Sequence, residues 1–257
     1  MSWSAVQYTK FEEERNRPIR DLLNQIPTTT ALNALDLGCG PGNSTELLSQ
    51  RFPNAIVTGI DSSDDMLEAA RTRLPGIRFE KDDIALLHTV TSSSDVIFAN
   101  ASLQWVPDHA LLLKTLTSRL SPGGSLAVQI PDNLDEPAHR LMREVASSGP
   151  WAERLIDASN AREDRHTADW YYTALHDHMP AINIWRTTYY HPLAGGAAAI
   201  VEWFKGSGLR PYLAPLNEAD RALFLTQYQA AIAQAYPSLP DGTVLLPFPR
   251  LFFVATR

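Results

Sequence analysis

Apolar residues occur along the first half of the chain as short continuous runs, each followed by a segment whose apolar positions repeat at helical spacing. Residues 31–37 form the first run, ending in Ala34-Leu35-Asp36-Leu37, and residues 55–61 form the second, ending in Gly59-Ile60-Asp61. Ile77–Glu80, Ser94–Asn100 and Ser125–Pro131 supply three more. Runs of this length, bounded by turn residues, suit strands buried on both faces. Between them lie helical patterns. Leu47, Leu48 and Phe52 share one face after an Asn43/Glu46 cap pair. Met66, Leu67, Ala70 and Leu74 share another. A third helix starts at Pro107-Asp108, turns Leu112, Leu113, Leu116 and Leu120 inward, and ends in Ser121-Pro122-Gly123-Gly124. Ahead of the first run, Ile19, Leu22, Leu23 and Ile26 stand at i, i+3, i+4 and i+7, with Pro18 breaking or starting that helix and Tyr8–Arg15 helical before it. Such alternation predicts an α/β fold with a doubly wound parallel sheet.

Beyond Asp132 the rhythm changes. Pro137–Ala146 reads as a helix and residues 147–160 as a loop. Aromatics gather from Ala168 at Trp170, Tyr171 and Tyr172, and Asn183–Tyr190 is rich in strand formers. A helix over Gly195–Gly208 follows, then a long one over Asn217–Tyr236 with Leu225, Tyr228 and Ile232 on one face. Phe248–Ala255 is the last strand. The expected plan is one domain over 1–257. Residues 1–30 make a helical lid, 31–132 a ligand-binding core and 133–257 the remainder, with a helical insertion over about 193–246. Tyr8, Arg15 and Arg17 are lid candidates.

Composition narrows the function. A net charge of −7 leaves no basic surplus for nucleic acid. No apolar run approaches the roughly 20 residues that span a bilayer, and the opening residues lack the apolar core of a leader. Cys39 is the one cysteine, so no intramolecular disulfide forms and a cytoplasmic setting is expected. Seven histidines include no metal-binding spacing, so no metal is expected. A monomer is expected.

The chemistry concentrates at the strand ends. Gly38, Gly40 and Gly42 alternate between the first strand and its helix, where a ligand approaches closer than a Cβ allows. Asp36 lies inside the strand before them. Asp61 closes the second strand, where a carboxylate meets a ribose. Asp82 and Asp83 close the third, and Asn43 stands where a dinucleotide site wants its third glycine. The stretch Leu35–Gly42 (LDLGCGPG), the aspartate at the next strand end and Asp82-Asp83-Ile84 resemble the class I S-adenosylmethionine-dependent methyltransferases. That resemblance implies a mostly parallel, seven-stranded, Rossmann-like sheet whose last two strands form an antiparallel hairpin. It implies S-adenosyl-L-methionine as cofactor and S-adenosyl-L-homocysteine as product. The cofactor-binding set it implies is Asp36, Gly38, Cys39, Gly40, Asp61, Ser62, Met66, Asp82, Asp83, Ile84, Asn100 and Ser102. In that set Asp83 is preferred over Asp82 for the adenine amine, and Cys39 is a small residue packed beneath the cofactor. A methyltransferase for another small acid or for an oxygen or nitrogen acceptor, a cofactor-sensing module and a nicotinamide oxidoreductase remain as alternatives.

The second half resembles a narrower bacterial family, whose members esterify a carboxylate of trans-aconitate. Ala99–Trp105, Pro131-Asp132-Asn133, Leu141–Val145, Arg186–His191, Gly208–Pro211 and Phe248–Phe252 carry the likeness. It implies a small-molecule polycarboxylate substrate, for which arginine's planar fork is the matching donor. Trp105, Arg186, Tyr189, Tyr190, Arg210 and Arg250 are the substrate-side candidates. A carboxylate is already ionised at neutral pH, so no catalytic acid or base is expected.

Overall fold

The computed structural model describes residues 12–87, 93–160 and 166–257. Tyr8, the first part of the expected N-terminal helix, and His88 lie outside the described residues. The chain divides into two compact units. The first comprises residues up to 131, 165–187 and 251–257; the second comprises 132–164 and 188–250.

In the first unit, helix α1 (Glu12–Asn24) precedes β1 (Asn33–Leu37), α2 (Asn43–Arg51), β2 (Ile56–Asp61), α3 (Asp64–Arg73), β3 (Arg78–Lys81) and β4 (Ser94–Asn100). A 3₁₀ turn at Leu103–Trp105, α4 (His109–Ser118) and β5 (Leu120–Pro131) follow. The strands join one seven-stranded sheet in the order β3-β2-β1-β4-β5-β7-β6, where β6 is Ala181–Ala194 and β7 is Thr243–Thr256. β1 pairs in parallel with β2 and β4, β2 with β3, and β4 with β5. With β1 flanked by β2 and β4, the chain winds outward in both directions from β1. Asp36 sits opposite Gly59 on one side and Phe98 on the other. Leu35, Leu37, Ile60, Ile97, Ala99, Leu126 and Val128 fill the core between the sheet and α4 with α7 (Ala168–Leu175).

Four local expectations need correction. Pro18 neither breaks nor starts α1 but lies inside it. The ring forfeits one backbone bond, and buried Ile19, Leu22 and Leu23 hold the helix down around it. Asn43 and Glu46 form no cap pair. Gly42, at φ 91°, is the cap of α2, the Asn43 amide donates to Asn16 Oδ1 of α1 at 2.9 Å, and Glu46 pairs with Arg73 at 2.7 Å. The α4 pattern stops at Ser118, and Leu120 begins β5. The register jumps from Ser94–Leu120 to Val96–Ser125, so Ser121–Gly124 bulge out of a strand already under way. Residues 147–160 are not a loop: a 3₁₀ turn (Ala152–Leu155) and α6 (Ile156–Asn160) occupy much of them.

The second unit carries the later part of β6, the first part of β7 and the helices α5 (Pro137–Ser148), α6, α8 (Gly196–Lys205), α9 (Arg210–Leu213) and α10 (Glu218–Ala235). α10 buries Tyr228 and Ile232 as expected, but its first inward position is Phe224, with Leu225 only partly covered. Tyr228 donates its hydroxyl to the Ala138 carbonyl at 3.1 Å, and the Ala138 N–H donates to Tyr236 Oη at 3.0 Å. These two bonds fix α10 to the start of α5 with no buried phenol left unpaired.

Candidate active site

The glycine turn is stitched to β2. The N–H groups of Gly38 and Cys39 both donate to the Ile60 carbonyl, at 2.8 and 2.9 Å. Asp61 then takes the Gly40 N–H on Oδ2 and the Ser63 N–H on Oδ1, each at 2.9 Å. Burial raises its pKa against those bonds. Gly38 has φ 70°, and a Cβ there would stand 2.3 Å from Ser102 Cβ and 3.4 Å from Ile84 Cδ1. Three strand ends therefore converge on Gly38. The Ser102 hydroxyl closes the arrangement by donating to the Leu37 carbonyl at 2.7 Å.

Asp36 is fully buried under this turn. Its Oδ2 accepts the hydroxyls of Ser44 (2.7 Å) and Thr45 (2.6 Å), both from α2. Its Oδ1 has no hydrogen-bond partner, and neither does Asn100 Oδ1 at the end of β4. Burial pushes the Asp36 pKa up to about 6; the two hydroxyls oppose the rise and the Asp61 charge adds to it. Two buried acceptors lacking donors are costly unless a donor arrives. An amino acid ammonium is such a donor, so these residues fit the amino end of S-adenosylmethionine.

The other cofactor candidates take different parts. The Cys39 thiol is packed among Leu67, Ala70 and Phe79, and burial raises its pKa. It shapes the turn and offers no nucleophile. Met66 is buried in the first turn of α3, and Ser62 is exposed just before it. Asp82 is buried, its N–H donating to the Asp61 carbonyl (3.2 Å) and its Oδ1 accepting the Asp83 N–H (2.8 Å). Asp83 is exposed and accepts the Ala85 N–H at 2.9 Å. Asp82 thus sets the turn that presents Asp83. Past Asn100, Ala101 adopts φ 53°, uncommon without glycine. Its carbonyl accepts the Gln104 amide at 2.7 Å, and Trp105 is exposed.

On the substrate side, Arg186 is exposed on β6, next to Trp185, which stacks on Phe252 with centroids 5.0 Å apart. Within the second unit, Arg250 is buried with its guanidinium carbon 4.7 Å from the Phe248 ring centre and 6.0 Å from that of Tyr189. Tyr189 is buried and Tyr190 exposed, as strand alternation requires. Arg210 opens α9, half-buried. Sequence reasoning missed Ser44 and Thr45, although two hydroxyls directly after the glycine turn are a readable signal once Asp36 is placed beneath them. Among the described residues no cluster of three or more His, Cys, Asp or Glu is placed to hold a metal. Among them, too, no helix is long and apolar enough to cross a membrane.

A family profile described as "Methyltransferase domain" matches residues 34–124. Three curated relatives named trans-aconitate 2-methyltransferase extend that likeness over the whole chain. The protein from Rhizobium meliloti (strain 1021) is 53% identical over 257 residues, covering 100% of this chain and 99% of the relative. That from Agrobacterium fabrum is 50% identical with 100% of both covered, and that from Yersinia pseudotuberculosis is 52% identical over 98% and 97%. The chain belongs to the trans-aconitate 2-methyltransferase family. Among solved structures, the YcgJ protein of Bacillus subtilis aligns with a TM-score of 0.62 at 14% identity, over 94% of this chain and 98% of that one. The Haemonchus contortus phosphoethanolamine N-methyltransferase 2, solved with S-adenosyl-L-methionine, aligns at 0.55 and 16% identity, over 94% of this chain and 52% of that one. Those two share the fold alone. The trans-aconitate 2-methyltransferase likeness differs in that it runs through the helical second unit, which the general methyltransferase profile does not reach.

Proposed function

We propose that this chain transfers a methyl group from S-adenosylmethionine to one carboxylate of trans-aconitate, giving a monomethyl ester. The observation that carries the reading is the identity above 50% to that family over the full length, including the second unit. When bound, S-adenosylmethionine supplies a sulfonium methyl that a carboxylate oxygen takes by in-line displacement, leaving S-adenosylhomocysteine.

The chain's own residues then bind and orient. Asp36 Oδ1 and Asn100 Oδ1 receive the ammonium. Asp61, held open by two backbone N–H donors, has a lone pair left on each oxygen for ribose hydroxyls. Asp83 takes the adenine amine, with Ile84 and Met66 as apolar neighbours. Arg186 in the first unit, and Arg210 and Arg250 in the second, are the candidate donors for the acid; Trp105, Tyr189 and Tyr190 are the further substrate-side candidates. No residue is asked to remove a proton, because the nucleophile is ionised at pH 7. Catalysis rests on holding the oxygen about 3 Å from the methyl carbon and in line with it. The accepting carboxylate is the one least gripped by arginine, since pairing lowers its nucleophilicity. The single cysteine, buried and inert, fits a cytoplasmic setting.

The test is methyl transfer from labelled cofactor to trans-aconitate beside cis-aconitate, isocitrate and citrate. A base-labile monomethyl ester formed preferentially from trans-aconitate is the expected result. Tight cofactor binding with transfer to none of these acids would overturn the substrate and keep the fold.

A further inference from the structure

Behind the Leu103–Trp105 turn lies a buried polar pair that the proposed reaction leaves unused. His109, the first residue of α4, is buried with both ring nitrogens bonded. Nε2 is 2.8 Å from the Leu103 carbonyl and Nδ1 is 2.6 Å from the Tyr171 hydroxyl. A carbonyl only accepts, so Nε2 carries the proton, and in the neutral ring Nδ1 accepts from Tyr171. Burial raises the Tyr171 pKa, which keeps the phenol a donor. Tyr171 belongs to α7 and is itself held by Phe253, with ring centres 5.0 Å apart. His166 stacks on Trp170 at 3.6 Å and lies 5.3 Å from the His109 ring.

We propose that His109 and Tyr171 are positioning residues for the acceptor side of the reaction. The inference rests on the proposal above that Trp105, on the turn after β4, belongs to the substrate side. That turn is strained at its start, where Ala101 sits at φ 53°. A non-glycine residue held there is strained and persists only where its surroundings over-determine it. Its first residues are pinned to the sheet: the Ala101 N–H donates to the Gln129 carbonyl at 2.9 Å, and Ser102 reaches Leu37. Further along, the Leu103 carbonyl is pinned by His109. Gln104 and Trp105 follow directly, held by the turn's own Val106 N–H to Leu103 bond (2.9 Å) and by a ring that the Tyr171 hydroxyl braces at its other nitrogen. Without the Tyr171 hydroxyl, Nδ1 loses its partner, the ring is held at one nitrogen only, and its hold on Leu103 weakens. The loss falls on the acid rather than on the cofactor, whose own contacts lie on Asp36, Asp61, Asp83 and Asn100.

Tyr171→Phe keeps the buried ring and removes only the hydroxyl. The expected result is a KM for trans-aconitate raised about three- to tenfold, a Kd for S-adenosylhomocysteine within about twofold of wild type, and a shifted Trp105 indole resonance. His109→Gln, which can still donate to Leu103, should lie closer to wild type than His109→Leu on all these readouts. Variants that lose thermal stability alone, with KM and the Trp105 resonance unmoved, would overturn the proposal. If the wild type methylates no acid, the functional reading fails by itself. The Trp105 resonance in Tyr171→Phe then still decides whether the pair positions the turn.

Discussion

At Asp36 the fold and the proposed cofactor site meet in a single carboxylate. Its pKa is raised from the ordinary 3.8 to about 6 because burial outweighs the Ser44 and Thr45 bonds. A raised carboxylate pKa means the fold favours the protonated form. The associated stability is complete below about pH 4 and is lost as pH rises through 6, by roughly 2–3 kcal/mol in all. A cationic ligand reverses this. S-adenosylhomocysteine, with its ammonium at Oδ1, should bind about tenfold more tightly at pH 7 than at pH 5, and calorimetric titration of Asp36→Asn should show that dependence gone. Equal pH dependence in both proteins would remove Asp36 from the ammonium site. Gly38→Ala tests the same turn sterically. Its Cβ would fall 2.3 Å from Ser102 Cβ, at a φ that already strains any side chain. Cofactor binding should drop at least about tenfold, with a stability loss of about 1–3 kcal/mol, read by thermal melting. For the acid, Arg186→Ala should raise KM while leaving cofactor affinity unchanged, since Arg186 is exposed and its removal opens no cavity. Asp61→Ala should do the converse and weaken the cofactor. Equal loss of cofactor affinity in both variants would sink the division of roles.

Elements were legible in proportion to how much of their placement is local. β1, β2 and β4 carry apolar runs long enough to name within a residue or two, and the glycine turn with its three following acids marked the end of the sheet proposed for the cofactor. Errors arose wherever a long-range partner decides. Pro18 stays helical because α1 is held by a buried face. Asn43 gives up capping because Asn16 of another helix offers a buried bond. Ser121–Gly124 look like a turn, yet Leu120 has already paired with Ser94. α10 shows the same limit. Leu225 and Phe224 are adjacent, and only packing of Phe224 on Trp151 (5.4 Å) and Tyr212 (6.1 Å) selects the face. The His109–Tyr171 bond was invisible for this reason too, joining residues 62 positions apart. At this scale Asp108→Ala should cost about 1 kcal/mol. Its side chain accepts the Leu111 N–H at 3.1 Å and caps α4. Denaturant melts would register that, with the cofactor Kd unchanged.

Taken as a molecule, the chain separates a widely shared part from a narrowly shared one. Every candidate cofactor residue from Asp36 to Ser102 lies in the first unit, and residues 34–124 are what the general methyltransferase profile covers. The identity that singles out one family continues through the second unit, where Tyr189, Tyr190, Arg210 and Arg250 lie. S-adenosylhomocysteine alone therefore ought to act locally. At a hundred times its Kd it should stabilise the native state by about 2.7 kcal/mol, a rise of several degrees in Tm for a chain of this size. Its effect on hydrogen exchange should concentrate at residues 38–45, 61–66, 83–87 and 100–102, with the helices of the second unit little changed. Adding trans-aconitate should then slow exchange at 188–191 and 248–250, where Arg250 is held between Tyr189 and Phe248. Cofactor-induced protection spread evenly over α5 and α10 would contradict the confinement of the cofactor site to the first unit. An acid that protects no segment of the second unit would place substrate recognition on Trp105 and Arg186 instead.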